Sequence, residues 1–212
     1  MSAMRMNVRD DPEKAITAAK AAIDRGACVV LPTDTVYGIG ADATSAHAVS
    51  GLLAAKNRGR DMPPPVLVSD AVMVRSLASS LPPAAIALGE ALWPGALTLI
   101  VTAHPSLRMD LGDRFGTIAV RVPDHEFTRE LLRATGPLAV SSANVSGQPA
   151  AATIEEAEAQ LGTSVALYLD DGPAGDAAPS TIVDVTGERP QILRAGRIPR
   201  ERIAEIAGEL AD

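Results

Sequence analysis

Segments with the apolar spacing of β-strands alternate along this chain with segments of helical spacing. The first helix follows Asp11-Pro12, where proline suits the opening turn, and it stops at Gly26, before the apolar run 27–31. Helices between strands indicate an α/β layer fold, and strands clustered late in the chain favour a mixed sheet. We therefore predict a single-domain α/β chain with a twisted, open mixed β-sheet flanked by helices. The other predicted strands are 66–69, 96–102, 117–122, 138–141, 165–169, 181–185 and 191–194, and the later helices are 44–56, 83–92, 124–133, 154–161 and 200–210, with a helical stretch from Asp70.

Charge and composition exclude several classes of function. The chain has 26 acidic and 19 basic residues and a net charge of −7, which excludes a general attraction to nucleic acid or to an anionic membrane. Aromatic residues make up 2%, too few for a surface that stacks single-stranded bases. No apolar stretch approaches the length of about 18 residues that a membrane span needs, and the N-terminus lacks the apolar core of a signal peptide. We expect a cytoplasmic protein that makes no membrane contact and binds any anion in a local basic pocket.

The sequence offers neither a metal centre nor a paired nucleophile. The single cysteine, Cys28, lies in an apolar run, so a buried strand thiol is favoured over a catalytic thiol. The histidines at positions 47, 104 and 125 match no metal-binding spacing. The serine-rich segment 141–147 lacks the G-x-S-x-G elbow of serine hydrolases.

The second predicted helix carries a cation where a core residue is expected. Helical spacing from Val49 and Leu52 places Lys56 on the core-facing stripe at the C-terminal end. Arg58 follows, and the prolines at 63–65 can hold a cationic loop rigidly over an anionic ligand. The alternative is that these cations only complement the helix dipole.

Polar side chains follow two of the predicted strands. Thr33, Asp34 and Thr35 come after the strand 27–31, and the hydroxyl and amide groups of 141–147 come after another. Ligands of open α/β sheets bind at the carboxyl ends of strands, although an ordinary turn is the alternative for each segment. Neither segment has the glycine pattern of a phosphate-binding loop.

One strand places a cation inside the sheet. Alternation puts Thr117 and Arg121 on the same face of strand 117–122. A guanidinium there needs an anionic partner, which a bound carboxylate or phosphate would supply. Ser180 and Arg194 add a hydroxyl and a further cation. Several cations and hydroxyls without a resident nucleophile suit an adenylate-forming reaction, in which a substrate brings the attacking group.

Six short motifs together resemble the YrdC/Sua5 family, whose members are threonylcarbamoyl-AMP synthases. The resemblance extends from about residue 10 to residue 197, and the motifs follow the order that the family has. It implies a YrdC-like catalytic domain over 1–197, followed by a C-terminal helix over 198–212 that is not a separate domain. The motifs are 32–38, 56–58, 93–95, 120–123, 142–147 and 180–184.

The resemblance implies a reaction and its participants. Family members make threonylcarbamoyl-AMP and pyrophosphate from L-threonine, bicarbonate or CO2, and ATP, with Mg²⁺ accompanying ATP and held mostly by its phosphates. The product serves a downstream tRNA threonylcarbamoyl transferase complex, which modifies adenosine 37 of tRNAs, and the family also suggests contact with tRNA or double-stranded RNA. The resemblance assigns L-threonine to Thr35, Leu67, Arg121, Val140 and Ser180, ATP to Arg58, Met62, Thr117, Ser142, Ala150 and Arg194, and the catalytic set to Lys56, Arg58, Ser142 and Asn144.

This chain departs from the family pattern at a few positions. Gly59 stands where proline is common, and Arg60 adds a cation. Met62, Leu67 and Ala150 are apolar, so any contacts there are expected from the main chain.

Two alternatives stay open at this point. One is a carbamoyl-adenylate former that uses carbamoyl phosphate, as in hydrogenase-maturation relatives, whose chains are much longer. The other is a module that binds RNA without chemistry. Release of pyrophosphate with threonine or with carbamoyl phosphate distinguishes the three.

Overall fold

The protein builds one ten-stranded mixed β-sheet with helices on its faces. The computed structural model describes residues 4–113, 116–175 and 178–211. The strands are β1 (Met4–Asn7), β2 (Val29–Leu31), β3 (Gly38–Asp42), β4 (Val66–Leu67), β5 (Leu97–Thr102), β6 (Thr117–Arg121), β7 (Leu138–Ser142), β8 (Leu167–Asp170), β9 (Thr181–Asp184) and β10 (Gln191–Arg194).

The strand order confirms the predicted mixed sheet. The order across the sheet is β1-β8-β2-β3-β7-β4-β6-β5-β9-β10. The sheet contains parallel pairs, such as β2 with β8 and β4 with β6, and antiparallel pairs, such as β3 with β7 and β5 with β6. Strands from both ends of the chain are therefore interleaved in one sheet.

The helices lie close to their predicted positions because their end signals are local. Asp11 caps α1 through its side chain, with proline in the first turn, and Ser45 accepts from the N–H of Ala48 to cap α2. Thr153 and Glu156 form a reciprocal capping box on α6. The helices are α1 (Pro12–Asp24), α2 (Ala46–Ala55), α3 (Ala71–Leu77), α4 (Pro83–Leu92), α5 (Glu126–Thr135), α6 (Ile154–Leu161) and α7 (Arg200–Ala207).

Two hydrophobic layers sandwich the sheet. On one face, α1 and α5 pack against β2, β7 and β8. On the other face, a larger core joins α2, α3, α4, α6 and α7 to the central strands, and Ile203 of α7 is fully buried in it. Within the described part of the chain, no helix is both long and apolar enough to span a bilayer.

Two strands of the sheet, β1 and β3, do not correspond to any strand predicted from the sequence. β1 is a short edge strand with mostly exposed residues, so it lacks the apolar pattern of a buried strand. β3 has no strand signal in the sequence, because it contains Gly38 and Gly40 and glycine is disfavoured in strands. A Cβ at Gly38 would lie 2.6 Å from Val140, and one at Gly40 would lie 2.7 Å from Leu31. These glycines therefore allow β3 to pack against side chains of both neighbouring strands.

Candidate active site

The face of the sheet that carries α1 and α5 is covered only in part. Leu67 and Val140 belong both to the core under these helices and to the wall of a cavity, so the cavity continues the same face. The cavity has a volume of about 470 Å³. Its floor is made by alternate residues of the central strands, including Thr98 and Ile100 of β5 and Thr117 of β6. Rigid strands therefore position the floor, and loops form the rim.

Arg121 at the end of β6 is held by three acceptors. Its Nη2 donates to Oδ1 of Asp34 at 2.6 Å, its Nη1 to Oγ1 of Thr35 at 2.9 Å, and its Nε to the carbonyl of Gly95 at 3.1 Å. Burial lowers the pKa of the guanidinium, while the Asp34 carboxylate raises it. The side chains of Arg121 and Asp34 are 7% and 11% exposed. The guanidinium is therefore fixed in orientation before any ligand binds.

The structure corrects the argument that Arg121 needs a ligand as its anionic partner. Asp34 supplies that partner from within the chain. The residue was visible in the polar segment after β2, but it lies 87 positions from Arg121 in sequence. A bound carboxylate would thus be a second anionic partner for the guanidinium, whose charge Asp34 already balances.

Arg58 and Arg194 also line the cavity, and they have only neutral acceptors. Arg58 donates from Nε to the carbonyl of Met62 at 2.6 Å and from Nη1 to Oγ of Ser141 at 3.0 Å. Arg194 donates from Nη2 to the carbonyl and the hydroxyl of Ser180 at 2.8 and 2.9 Å. Among the described residues, no carboxylate lies within ion-pair distance of either guanidinium. Burial lowers the pKa of both. The charge of Asp61 partly offsets this effect on Arg58, and the charge of Arg58 lowers the pKa of Arg194 further.

The turn after α2 sends its two cations in different directions. Asn57 adopts the left-handed conformation, with φ of 51°, and Arg58 donates its backbone N–H to the carbonyl of Leu53 at 2.9 Å. This is a Schellman helix end with asparagine in the place usually taken by glycine. The reversal points Arg58 into the cavity and leaves Lys56 against the core.

Lys56 and Asn144 are the predicted site residues that the structure does not bring into the cavity wall. The Lys56 ammonium donates to the carbonyls of Ser142 and Asn144 at 2.5 and 2.6 Å, and the residue is 2% exposed. Burial, and then the charge of Arg58, lowers its pKa to about 8. Asn144 donates from Nδ2 to the carbonyls of Val145 and Gln148. Their direct catalytic roles stay predictions, whereas these contacts favour a role in shaping the turn that follows Ser142.

The hydroxyl groups of the cavity form two sets. Thr117 and Ser142 line the wall, and neither side chain makes a hydrogen bond to another described residue, so both are available to a ligand. Ser180 is already engaged, because it accepts from Arg194 and pairs with Thr98 at 2.8 Å. Thr98 lines the cavity but was not predicted as a site residue; the polar face of β5 was the available signal. Thr33 and Ser141 also line it, and they belong to the two polar segments that the sequence indicated without assigning them to a ligand.

The remaining predicted residues also line the cavity. Met62, Ala150, Leu67 and Val140 give it apolar walls, and the prolines 63–65 form a continuous stretch of its rim. Cys28 is buried outside the cavity, and burial raises the pKa of its thiol to about 11. The predicted burial is confirmed, although the residue lies one position before β2 and not within it. The placement thus groups all the predicted ligand-binding residues in one cavity.

Comparison with known proteins assigns the family. A model of Sua5, YciO and YrdC proteins, described as telomere recombination, matches residues 21–196. The chain belongs to the Sua5/YciO/YrdC family. A Mycobacterium tuberculosis relative, provisionally named a threonylcarbamoyl-AMP synthase, is 53% identical over 93% of this chain and 93% of its own length. The Bacillus subtilis threonylcarbamoyl-AMP synthase is 36% identical over 95% of this chain.

Solved structures extend the family likeness to three dimensions. Pyrococcus abyssi Sua5 in complex with L-threonine superposes with a TM-score of 0.90 at 31% identity and covers 99% of this chain. Escherichia coli YciO superposes with a TM-score of 0.83 at 22% identity, which supports the fold alone. The chain spans 61% of the Sua5 chain and 58% of the B. subtilis enzyme. The predicted YrdC-like α/β fold is confirmed.

Proposed function

We propose that this chain is a threonylcarbamoyl-AMP synthase, which forms threonylcarbamoyl-AMP and pyrophosphate from L-threonine, bicarbonate or CO2, and ATP. Relatives that carry this name match nearly the whole chain, and a structural neighbour was solved with L-threonine. The observation that carries the proposal is the contrast within one cavity. Arg121 is paired with Asp34, whereas Arg58 and Arg194 have no carboxylate of the described residues in ion-pair contact. We call the surroundings of Arg121 the paired end of the cavity and those of Arg58 and Arg194 the unpaired end.

Each end of the cavity suits one substrate. The carboxylate of threonine is a single negative charge, and the fixed Arg121 retains N–H groups that can bind it. A triphosphate carries several negative charges and is best matched by guanidinium groups with no internal counter-ion. ATP is therefore assigned to Arg58 and Arg194, with the hydroxyls of Thr117 and Ser142 available to its polar groups.

The chemistry requires positioning and charge neutralisation more than a protein nucleophile. The threonine amine attacks CO2, a C–N bond forms, and loss of a proton gives a carbamate. A carbamate oxygen then attacks the α-phosphorus, the bond to the bridging oxygen breaks, and pyrophosphate leaves with that electron pair. Arg58 and Arg194 offset the charge that develops on the phosphates. Lys56 contributes indirectly and not through contact with the phosphates, because its ammonium donates to the carbonyl of Ser142 and fixes the main chain there.

Mg²⁺ is part of the proposal as the ion that accompanies ATP. No group of three or more His, Cys, Asp or Glu side chains within the described residues is arranged to hold a metal ion. The phosphate oxygens and water would therefore be its main ligands. Transfer of the product to a tRNA-modifying complex, and direct contact with tRNA, also stay proposals that rest on the family.

The decisive experiment is mass analysis of the products. The purified chain with ATP, Mg²⁺, threonine and bicarbonate should yield threonylcarbamoyl-AMP and one pyrophosphate for each product. Omission of either threonine or bicarbonate should abolish pyrophosphate release. Release that persists without CO2, or an adenylylated protein, would contradict the mechanism. Release supported by carbamoyl phosphate in place of bicarbonate and threonine would favour the carbamoyl-adenylate alternative, and no release at all would favour the RNA-binding module.

A further inference from the structure

Asp34 is a carboxylate that stands beside a cavity rich in cations. It is not part of the cavity wall; it lies behind Arg121, with its side chain 11% exposed. Among the described residues, it is the one carboxylate in ion-pair contact with any arginine that lines the cavity. Its own carbonyl accepts a hydrogen bond from Nη1 of Arg197. Asp34 is thus held in place from both its side chain and its main chain.

Without Asp34, the arginines that line the cavity would have no ion-pair partner among the described carboxylates. Burial lowers the pKa of Arg121, and the charges of Arg194 and Arg197 lower it further, so these guanidinium groups are close enough to repel one another. Arg58 is close enough to Arg194 to have the same effect on it. These guanidinium groups therefore form one cationic region, and Asp34 supplies a negative charge beside its Arg121 member.

We propose that Asp34 determines which anion each end of the cavity accepts: it neutralises the threonine end so that phosphate groups bind beside Arg58 and Arg194 and not beside Arg121. This inference rests on the proposed function. A phosphate carries more charge than a carboxylate and would lie close to the negative charge of Asp34, which disfavours it. A threonine carboxylate has less charge to repel, and it gains a guanidinium that is already oriented. Asp34 acts through Arg121, so it is a positioning and specificity residue.

The proposal predicts a specific gain of function on removal of the charge. Asp34→Asn keeps an oxygen that can accept from Arg121 but leaves the guanidinium without a counter-ion. The variant should bind a second inorganic tripolyphosphate beside Arg121, and threonine should displace this second ion. Threonine affinity should not fall, because its carboxylate meets the same oriented guanidinium without the opposing charge of Asp34, and the affinity for ATP should change little. A merely structural role for Asp34 would weaken both ligands and create no new anion site.

The test is isothermal titration calorimetry with tripolyphosphate and with threonine. The wild type should bind one tripolyphosphate per chain, and added threonine should not displace it. Asp24→Asn is the matched control, because it removes the same charge from the exposed ion pair with Lys20 on α1 and should leave binding unchanged. The double variant Asp34→Asn with Arg121→Gln should lose the second site again, because the cation that creates it is gone.

The outcomes separate this proposal from the proposed function. Unchanged tripolyphosphate binding in Asp34→Asn would overturn the inference, and so would competition between tripolyphosphate and threonine in the wild type, which needs no variant. If Asp34→Asn does not fold, as judged by circular dichroism, Asp34→Ser carries the same test with room for water beside the guanidinium. A wild type that forms no threonylcarbamoyl-AMP would instead contradict the proposed function, and the number of bound tripolyphosphates is measured in either case.

Discussion

The two ends of the cavity use the same side chain under different electrostatic conditions. Arg121 is paired with a carboxylate and held by three acceptors, so its geometry is complete before a substrate arrives. Arg58 is partly buried and Arg194 is exposed, and both meet only carbonyls and hydroxyls. The first arrangement favours orientation of a weakly charged group, and the second retains positive charge for a strongly charged one. Within this fold, the presence or absence of a counter-ion thus distinguishes the role of one arginine from that of another.

The largest effect is expected from the end without a counter-ion. Arg58→Ala should lower kcat/KM by roughly 30- to 1000-fold, because a charge-assisted contact in the transition state contributes about 2–4 kcal/mol. Pyrophosphate release measures it. Arg202→Ala, on the exposed face of α7, is the control and should be near normal. Near-normal turnover of Arg58→Ala with an intact circular dichroism spectrum would contradict the assignment of ATP to this end.

The paired end should respond through threonine. Arg121→Ala should raise the KM for threonine by about 30- to 150-fold, which corresponds to about 2–3 kcal/mol, and should raise the KM for ATP much less. The variant also leaves the buried Asp34 without its partner, so its thermal unfolding temperature should fall. Steady-state kinetics with each substrate varied in turn measures the split. An equal rise in both KM values would remove the distinction between the two ends.

Lys56 represents a third arrangement, in which a buried cation lies outside the cavity wall and holds the main chain beside it. Lys56→Met keeps most of the side-chain volume but leaves the carbonyls of Ser142 and Asn144 without their donor. The free energy of unfolding should fall by about 1–3 kcal/mol, and kcat should fall with it because the turn after β7 moves. Urea denaturation and turnover should be measured on the same samples. A large loss of activity at unchanged stability would instead indicate that the ammonium reaches substrate.

Cys28 serves for comparison, because it is a buried titratable group that lies outside the cavity. The structure predicts slow alkylation of the native thiol near pH 9 and full activity for Cys28→Ala. Because the folded pKa, about 11, lies above the ordinary value of 9.0, the unfolded chain loses this proton first. The thiol's contribution to stability is therefore complete below about pH 9 and is lost as the pH rises toward 11. The unfolding free energy of the wild type should fall more steeply over that range than that of Cys28→Ala, whereas rapid labelling with loss of activity would place the thiol in the site.

Local signals predicted much of the fold and of the site. Strand alternation placed Thr117 and Arg121 on one face, and helical spacing placed Lys56 on the buried stripe, as the structure confirms. The partners of these residues could not be predicted, because Asp34 is 87 positions from Arg121 and Ser142 is 86 positions from Lys56. The strand β3 was missed because its glycines serve a packing requirement that only the neighbouring strands reveal.

The interleaved strand order has a consequence for how the protein acquires its site. The cavity takes Thr35 from the segment after β2 and Arg194 from β10, so its walls come from nearly the full length of the chain. Such long-range pairings slow folding, since distant segments must meet before their contacts stabilise anything. During synthesis on the ribosome, a chain that ends before residue 194 lacks Arg194 and so has an incomplete cavity wall. Substrates therefore bind only the completed sheet, and by mass action they stabilise all ten strands together.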